Sequence, residues 1–531
     1  MSNLYDYIIV GAGSAGCALA HRLSENPQYN VLLLEAGISD SNPVIHMPLG
    51  FAFTMKDPKF SWGYSSDPEP HMNQRRIDQP RGKLLGGCSS INGMVYIRGQ
   101  KEDYDHWAEL GNEGWSYDDL LPIFKRCEQY TGGANDFHGS DGKLWVDEVQ
   151  DHYELADLYV KAAVESGIPY NADFNGSTQE GAGFYQVNIR KGRRQSTAKT
   201  YLQPARKRRN LTVMTGAQAT RILFENQRAC GLRYIAKGRE VSVRCRNEII
   251  LCGGTINSPQ LLELSGIGNA DLLRSKGIIP VCDLPGVGEN LQDHLTVNIQ
   301  RAFDGVKTFV DDTRPLAMLK NLGKFMLSGR GLLAHPASQV GVFFRTDDSA
   351  TRPNAQIHFT PAAGEQDEKG RMITVPGTTA TVCYLRPKSR GYVHIRSADP
   401  LEKPAFRHNY LAEEEDRQVM IAAVRKTRAI FEAPVLAPWR KEELVPGPEV
   451  ESDEDILEFI RNTGESVYHP VGTCKMGVDD MAVVTPTLKV RGIEGLRVAD
   501  ASIMPTLISG NTNATSVLIG ERCADFIQSG R

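Results

Sequence analysis

The sequence predicts an α/β nucleotide-binding domain joined to a second, α+β domain with an antiparallel sheet. A strand, glycine turn, helix and strand open the chain. A second strand–glycine–helix element follows near residue 250, and several strand-like apolar segments lie beyond residue 295. A chain of 531 residues is also too long for one compact core, so we expect two domains or more.

The opening stretch has the pattern of a Rossmann-like dinucleotide site. After an apolar strand, Gly11 permits a sharp turn and Gly13 lets a pyrophosphate approach the backbone. Gly16 lets the following helix pack against the strand. Glu35 ends the next strand, where an acid can bond a ribose 2′-hydroxyl and disfavours a 2′-phosphate. This stretch predicts a dinucleotide but does not distinguish FAD from NAD.

Three later segments point to the same ligand. Residues 81–96 are rich in glycine and hydroxyl groups, which suits a backbone close to a polar ligand; a mobile surface loop is the alternative. Strands over 211–252 lead into a glycine turn, for which we predict Ser258 as helix N-cap and Pro259 in the first turn. Asp500 follows a strand at its C-terminal end, which faces the ligand crevice in such sheets.

The region from 300 to 460 predicts the second domain. Strand patterns lie at 340–345, 355–360, 379–385 and 391–396, and a long helix at about 413–432. A basic amphipathic helix is predicted within 314–333. Two interpretations of that helix stay open: its apolar face packs on a core, or it contacts a membrane surface.

Composition limits the partners. The chain is 41% hydrophobic and 23% charged with a net charge of −4, which gives no reason to expect nucleic acid. Its ten cysteines show no CxxC spacing, so we predict no metal site and a reducing compartment. The chain enters its first strand at once and has no apolar run of about 18 residues. We expect a cytoplasmic protein, at most peripheral on the inner face of the cell membrane.

Taken in order, these elements resemble the glucose–methanol–choline (GMC) oxidoreductases over essentially the whole chain. The first family signature is similar to Gly82–Tyr96 and the second to Gly254–Gly268. His469–Thr473 and Asp500–Pro505 also match the family. Within it, the chain is similar to bacterial aliphatic alcohol dehydrogenases and to choline dehydrogenases.

The resemblance implies the GMC oxidoreductase fold, with an FAD-binding Rossmann-like domain and a substrate-binding domain. The predicted FAD-binding domain is discontinuous and comprises residues 1–150, 205–300 and 461–531. The predicted substrate-binding domain comprises residues 151–204 and 301–460.

The resemblance also implies which residues hold FAD. The predicted cofactor residues are Gly11, Gly13, Gly16, Glu35, Ala36, Gly86, Gly87, Asn92, Gly93, Met94, Val95, Ala219, Asp500, Ala501 and Thr512. Some relatives carry, just before the position of Asn92, a histidine that bonds covalently to the flavin. Ile91 stands there in this chain, so we predict non-covalent FAD.

The resemblance assigns His469 as acceptor of the alcohol's hydroxyl proton, a task suited to neutral imidazole. Without the resemblance, a histidine before proline is as well explained as a turn or core residue. Asn513 matches the second catalytic position, whose plain alternative is helix capping; Asn511 is the neighbour most easily confused with it. His294 is interpreted as structural.

The function implied is oxidation of primary alcohols to aldehydes, with hydride passing to flavin N5. Choline dehydrogenase is the alternative, with Trp62 and Tyr64 as candidates for an aromatic cage around a quaternary ammonium. An FAD-containing hydroxynitrile lyase is the alternative of another class. The expected partners are a small alcohol and an electron acceptor, which is a quinone, another carrier or oxygen.

Overall fold

Two seven-stranded sheets organise the computed structural model, which describes residues 4–366 and 372–531. The first, called the nucleotide sheet here, has a parallel part and an antiparallel meander. In spatial order its strands are Leu211–Met214, Val31–Leu34, Leu4–Val10, Arg239–Leu251, Arg228–Ala236 and Ala217–Glu225, with Leu496–Val498 paired to the end of Arg239–Leu251.

The opening strand lies inside the nucleotide sheet, paired in parallel with Arg239–Leu251 on one edge and Val31–Leu34 on the other. Ile8 and Ile9 are fully buried, as continuous apolar runs in parallel strands generally are. The opening helix, Ser14–Leu23, packs on the closing helix, Asn513–Gln528. The two ends of the chain therefore meet beside the first glycine turn.

The second sheet, called the substrate sheet, is antiparallel throughout. In spatial order its strands are Arg440–Val445, Leu295–Phe303, Gly377–Tyr384, Ala355–Thr360, Val340–Phe344 and Gly181–Phe184, with Glu465–Ser466 paired to Leu295–Phe303. Two helices bury their apolar stripes in its core, where Tyr159 stacks on Phe359 with ring centroids 4.0 Å apart. These helices are Glu154–Glu165 and Glu414–Phe431.

A four-stranded sheet, five two-stranded sheets and further helices complete the described part of the structure. The small sheet is formed by Val95–Tyr96, Gln186–Val187, Leu144–Glu148 and Glu128–Tyr130. The remaining helices of eight residues or more are Lys101–Glu109, Tyr117–Cys127, Gly254–Leu264, Pro315–Ser328 and Asp453–Thr463. No helix among the described residues is long and apolar enough to cross a membrane.

The predicted fold class is confirmed: an α/β part, whose sheet has a parallel core, is joined to an α+β part with an antiparallel sheet. Two predicted domain boundaries cut into the substrate sheet. Leu295–Phe303 crosses the boundary at 300, and Glu465–Ser466 pairs with that strand although the boundary was placed at 461. We propose moving these boundaries to about 294 and 467, and the rest of the division stays a prediction.

The predicted start of the second glycine–helix element is wrong. The helix begins at Gly254, so Pro259 lies inside it and Ser258 does not cap it. Ser258 Oγ instead accepts a hydrogen bond from Gly253 N at 3.1 Å and donates to Asp500 at 2.6 Å. Asp500 also accepts from Gly254 N at 2.9 Å, which explains why the helix can start five residues early.

The basic amphipathic helix forms over Pro315–Ser328 and is called the outer helix. The interpretation that its apolar face packs on a core is wrong for most of that face. Leu316, Leu319 and Leu327 are all exposed, and Asn321 is the buried residue of the helix.

Candidate active site

A cavity of about 400 Å³ lies between the two large sheets. On one side it reaches the C-terminal ends of the parallel strands at Val10, Leu34 and Leu251. On the other side it reaches two residues of the substrate sheet region. Ser338 precedes the strand Val340–Phe344, and His358 lies on the strand Ala355–Thr360. The cavity therefore occupies the crevice in which open α/β sheets bind ligands.

Three helix N-termini converge on the nucleotide side of the cavity. They belong to the helices that begin at Ser14, Gly254 and Asn513, and all three residues line it. Ser14 Oγ donates to Asn513 Oδ1 at 2.7 Å, which joins two of these ends. Unpaired N–H groups and aligned dipoles at helix starts favour negative charge, so this side fits a pyrophosphate.

Glycine leaves the space that such a ligand needs. A Cβ on Gly13 would find nothing within 4 Å, so its missing side chain opens onto the cavity. A Cβ on Gly87 would lie 2.8 Å from Gly13 Cα, which places the segment after residue 81 directly across the first turn. Gly16 and Gly86 do not line the cavity: a Cβ on either would meet the protein itself, Gly11 O and Ser90 Oγ respectively.

Glu35 is held in place at the far end of the nucleotide side. Its carboxylate accepts from Ala12 N at 2.9 Å and from Gly37 N at 2.8 Å. Burial raises the pKa of Glu35 to about 7, although these two N–H groups favour the charged form. A buried carboxylate with spare lone pairs on the cavity wall suits a ribose hydroxyl donor.

Most other predicted cofactor residues share the same wall. Those lining the cavity are Gly11, Ala36, Asn92, Gly93, Met94, Val95, Ala219, Asp500, Ala501 and Thr512. The oxygens of Asp500 accept from Gly254 N, Ser258 Oγ and Ser502 N, so this side chain braces the second helix start. Ala501, the next residue, and Thr512 lie on the same cavity wall as this hydrogen-bonded side chain.

Behind this wall lies the buried side chain of Arg194, which was not among the predicted site residues. The Arg194 guanidinium donates to Asn92 Oδ1 and O, both at 2.7 Å, and to Ser89 O at 3.1 Å. Arg194 is fully buried without a carboxylate partner among the described residues, and burial lowers its pKa to about 9. In the sequence it was part of a basic run that resembles a solvated surface.

His469 lies at the opposite side of the cavity, beside the substrate sheet. Its Nδ1 is 3.0 Å from His294 Nδ1, and its Nε2 is 3.0 Å from Asn511 Nδ2. His294 Nε2 is 2.9 Å from Leu385 O. His469 N donates to Asp293 Oδ1 at 2.8 Å, which holds the backbone of the histidine in place.

These contacts determine the tautomer of His469. Leu385 O is an acceptor, so His294 carries its proton on Nε2 and presents a bare Nδ1. His469 Nδ1 must then donate, which leaves His469 Nε2 as a lone pair directed towards Asn511. His294 Nδ1 is therefore the acceptor that orients the His469 ring, and the structural interpretation of His294 stays a prediction.

Asn511, and not Asn513, is the amide beside His469. Asn513 is the first residue of the closing helix, and its side-chain oxygen is engaged by Ser14. Asn511 precedes the helix, and Gln356 Nε2 donates to its Oδ1 at 3.4 Å, which turns the Asn511 N–H groups towards the histidine. Asn511 is therefore the amide in contact with His469, while Asn513 also lines the cavity and its assignment to the second catalytic position stays a prediction.

Burial keeps the histidines of this site neutral. It lowers the pKa of His469 well below 6.5, and the neighbouring His294, His358 and Arg81 act in the same direction. Burial likewise lowers the pKa of His358 to about 4. His358 Nε2 is buried without a hydrogen-bond partner in the described structure and borders the cavity. The site therefore offers three polar groups: a proton acceptor at His469 Nε2, an N–H donor at Asn511 and a further imidazole nitrogen at His358 Nε2.

The candidate aromatic cage is only partly exposed to the cavity. Trp62 lines it, but Lys83 Nζ already lies 4.2 Å from the centre of a Trp62 ring. Tyr64 stacks on Trp62 and accepts from Asn257 Nδ2 at 2.7 Å. The acidic residues that line the cavity, within the described chain, are Glu35 and Asp500.

No group of three or more histidine, cysteine or acidic side chains that could bind a metal occurs in residues 4–366 and 372–531. All ten cysteines are free thiols.

Comparison with known proteins places this site among flavoproteins. Two family models described as GMC oxidoreductase match residues 5–296 and 387–520. An alcohol dehydrogenase [acceptor] of Pseudomonas putida is 44% identical over 536 residues, 99% of this chain and 96% of that protein. An oxygen-dependent choline dehydrogenase of Pectobacterium atrosepticum is 45% identical over 529 residues, 99% and 94% of the two chains.

Solved structures show the same architecture. A pyridoxine 4-oxidase from Mesorbium loti superposes with a TM-score of 0.89 at 30% identity, covering 99% of both chains. An FAD-dependent oxidoreductase from Chaetomium thermophilum gives a TM-score of 0.91 at 29% identity, also over 99% of both chains.

Proposed function

This chain belongs to the GMC oxidoreductases, and from that premise we propose that it oxidises primary alcohols to aldehydes with FAD. The observation that carries the proposal is the contact of a neutral His469 with Asn511 at one side of a cavity whose other side fits a dinucleotide. Relatives of about this chain's full length are alcohol and choline dehydrogenases, which supports oxidation at a CH–OH group.

The residues present fit FAD. The helix starts at Ser14, Gly254 and Asn513 would hold its pyrophosphate, and Glu35 its adenosine ribose. When bound, FAD supplies the acceptor for the hydride that leaves the alcohol carbon. We propose that it is held without a covalent bond, because Ile91, an aliphatic side chain, lines the cavity where some relatives have a histidine.

His469 and Asn511 would share the work on the alcohol oxygen. The lone pair on His469 Nε2 accepts the hydroxyl proton, because His294 keeps the other ring nitrogen protonated. An N–H of Asn511 donates to the same oxygen and stabilises the negative charge that develops as the proton leaves. His358 Nε2, which has no other partner among the described residues, offers a further polar contact to the substrate.

The substrate side favours a neutral alcohol. The two acidic residues on the cavity wall lie on the nucleotide side and are already hydrogen-bonded to backbone N–H groups. Lys83 also brings a positive charge to the Trp62 ring, where a cationic substrate would need a free aromatic face. Choline remains the second candidate because choline dehydrogenases are 43–45% identical to this chain.

The electron acceptor and the location belong to the same proposal. The acceptor is a quinone, another carrier or oxygen. Ten free thiols suit a reducing compartment, so we propose the cytoplasm, with peripheral contact on the inner face of the cell membrane.

A comparison of reductants tests the function. The purified holoenzyme is mixed with 1-hexanol, benzyl alcohol or choline in the absence of oxygen, and flavin absorbance at each concentration gives a second-order rate constant. We expect a neutral alcohol to reduce the flavin faster than choline. A larger rate constant for choline would establish the second candidate. Release of cyanide from a hydroxynitrile without loss of flavin absorbance would instead indicate a lyase.

A further inference from the structure

The outer helix, Pro315–Ser328, presents its apolar side chains to solvent. The exposed fractions are 83% for Leu316, 67% for Leu319, 77% for Met326 and 91% for Leu327. The buried residue of this helix is polar: Asn321 donates to Asp312 Oδ1 at 3.1 Å and accepts from Leu332 N at 3.4 Å. The inward face also includes the half-buried Met318 and Phe325, so most of the exposed leucines lie on a second apolar face that the protein does not cover.

Basic side chains surround this apolar face. Between residues 314 and 330 there are four basic residues, Arg314, Lys320, Lys324 and Arg330, and no acidic one, although the whole chain has a net charge of −4. All four are exposed. Arg314 lies 3.3 Å from Asp311, whereas Lys320, Lys324 and Arg330 form no ion pair with any described residue, so their charge can meet a partner.

A neighbouring hairpin extends the same charge. A Cβ on Gly192 would lie 2.3 Å from Gly329 O, so the turn between Ile189–Arg190 and Arg193–Arg194 touches the end of the outer helix. This turn brings the exposed Lys191 and Arg193 beside the helix. Three acidic residues, Asp147, Glu148 and Asp151, line a small cavity with Lys191 and Arg330. Each is hydrogen-bonded within the protein: Asp151 accepts from Gly331 N at 2.9 Å, Asp147 from Thr131 Oγ1 at 2.6 Å, and Glu148 from the Tyr130 hydroxyl.

The outer helix stands close to the rim of the cavity. Met318 packs on a cluster of Tyr153, Phe309 and Leu332, and Leu49 packs on the same cluster. The segment that follows Leu49 lines the cavity through Phe51 and Met55. A surface seated on the outer helix would therefore lie close to residues that line the cavity.

We propose that the outer helix, with Lys191 and Arg193, docks the enzyme on a lipid bilayer that carries anionic headgroups. Exposed leucines flanked by lysines match an interface with an apolar interior and a negatively charged boundary. A second copy of the chain is a poorer occupant, since a two-fold pair would bring the same lysines together. Membrane binding itself does not depend on the proposed function, but its benefit rests on it. Docking would place the cavity close to the bilayer, in which lipophilic alcohols and electron acceptors dissolve.

Vesicle binding by the holoenzyme tests the proposal. Holoenzyme is sedimented with vesicles of phosphatidylglycerol and phosphatidylcholine, and with vesicles of phosphatidylcholine alone. We expect binding to the anionic vesicles that weakens with salt. Leu327→Glu should weaken it at least about tenfold, because one exposed leucine no longer enters the bilayer. Lys320→Gln with Lys324→Gln should weaken it further, about fivefold per charge.

The matched control is Ile279→Glu, an equally exposed aliphatic residue (80%) away from this surface, which should bind as the wild type does. Absence of binding to anionic vesicles, or unchanged binding by Leu327→Glu, would overturn the proposal. A wild-type dimer that Leu327→Glu dissociates, without vesicle binding, would show that the face joins two copies. Alcohol oxidation with a soluble dye needs no membrane, so it tests the proposed function independently.

Discussion

One nitrogen atom, Nε2 of His469, is where the proposed chemistry takes place. Its lone pair is free because a chain of hydrogen bonds runs from Leu385 O through His294 to His469 Nδ1. Burial then keeps the ring neutral by lowering its pKa. Orientation and charge thus have separate causes, and each can be changed by a separate substitution.

The two asparagines near the chain end should differ in their effect. Asn511→Ala removes the N–H donor beside His469 and should lower the rate of flavin reduction by about 10²-fold, as loss of one such donor generally does. Asn513→Ala removes a contact with Ser14 and should leave that rate within about threefold. Anaerobic flavin reduction by hexanol measures both. The opposite order would support the sequence-based assignment of Asn513.

His294→Leu should slow flavin reduction while FAD stays bound. The leucine offers no acceptor to His469 Nδ1–H, so the tautomer with a free Nε2 is no longer favoured, and we expect a loss of at least about tenfold. His294→Gln keeps an oxygen acceptor and should recover part of the rate. A purely structural histidine would predict instead that both variants lower the melting temperature and leave the rate per bound FAD unchanged.

At the scale of elements, the glycine turn and the three helix starts form the nucleotide side. The roles of Gly11, Gly13 and Gly16 are readable in the sequence because each has a distinct steric reason. The second helix start is not, since proline within a helix is rare and Gly254 begins the helix only because Asp500, 246 residues away, holds its N–H. Long-range caps of this kind leave no local pattern.

Two alanine substitutions distinguish a glycine that makes room for the ligand, Gly13, from one that makes room for the protein's own packing, Gly16. Gly13→Ala adds a methyl group where the protein has no atom within 4 Å, so the melting temperature without FAD should not change. FAD affinity should fall at least about tenfold because the methyl group occupies the pyrophosphate approach. Gly16→Ala adds a methyl group that would lie 2.0 Å from Gly11 O. This variant should lower the free energy of unfolding by at least about 1–3 kcal/mol.

Thermal melting with and without added FAD measures the two effects. Equal loss of stability in both alanine variants without FAD would contradict the distinction.

The amphipathic outer helix shows a general limit of sequence patterns. Periodic leucines and lysines locate the helix well, over Pro315–Ser328 within the predicted 314–333. The same period describes an apolar face turned inwards or outwards, so the pattern alone cannot choose. Here the polar Asn321 faces inwards, because its side chain forms hydrogen bonds with Asp312 and Leu332.

For the molecule as a whole, the sequence predicts the two sheets and most cavity residues, because local motifs carry them. It does not predict which of two amides, Asn511 or Asn513, faces His469, since they are only two residues apart and the helix start between them decides. Arg194 is missed for a different reason: a buried cation looks like any basic run until the fold encloses it.

For the whole enzyme, we propose that an alcohol reduces bound FAD and that His469 takes the hydroxyl proton. The most direct measurement is anaerobic stopped-flow absorbance of the holoenzyme mixed with hexanol, for the wild type and His469→Ala. We expect the wild-type flavin to lose its absorbance. The His469→Ala variant should keep its FAD, but its flavin should be reduced at least about 10²-fold more slowly. A wild-type flavin that no alcohol reduces, or a His469→Ala variant that reacts at the wild-type rate, would contradict the claim.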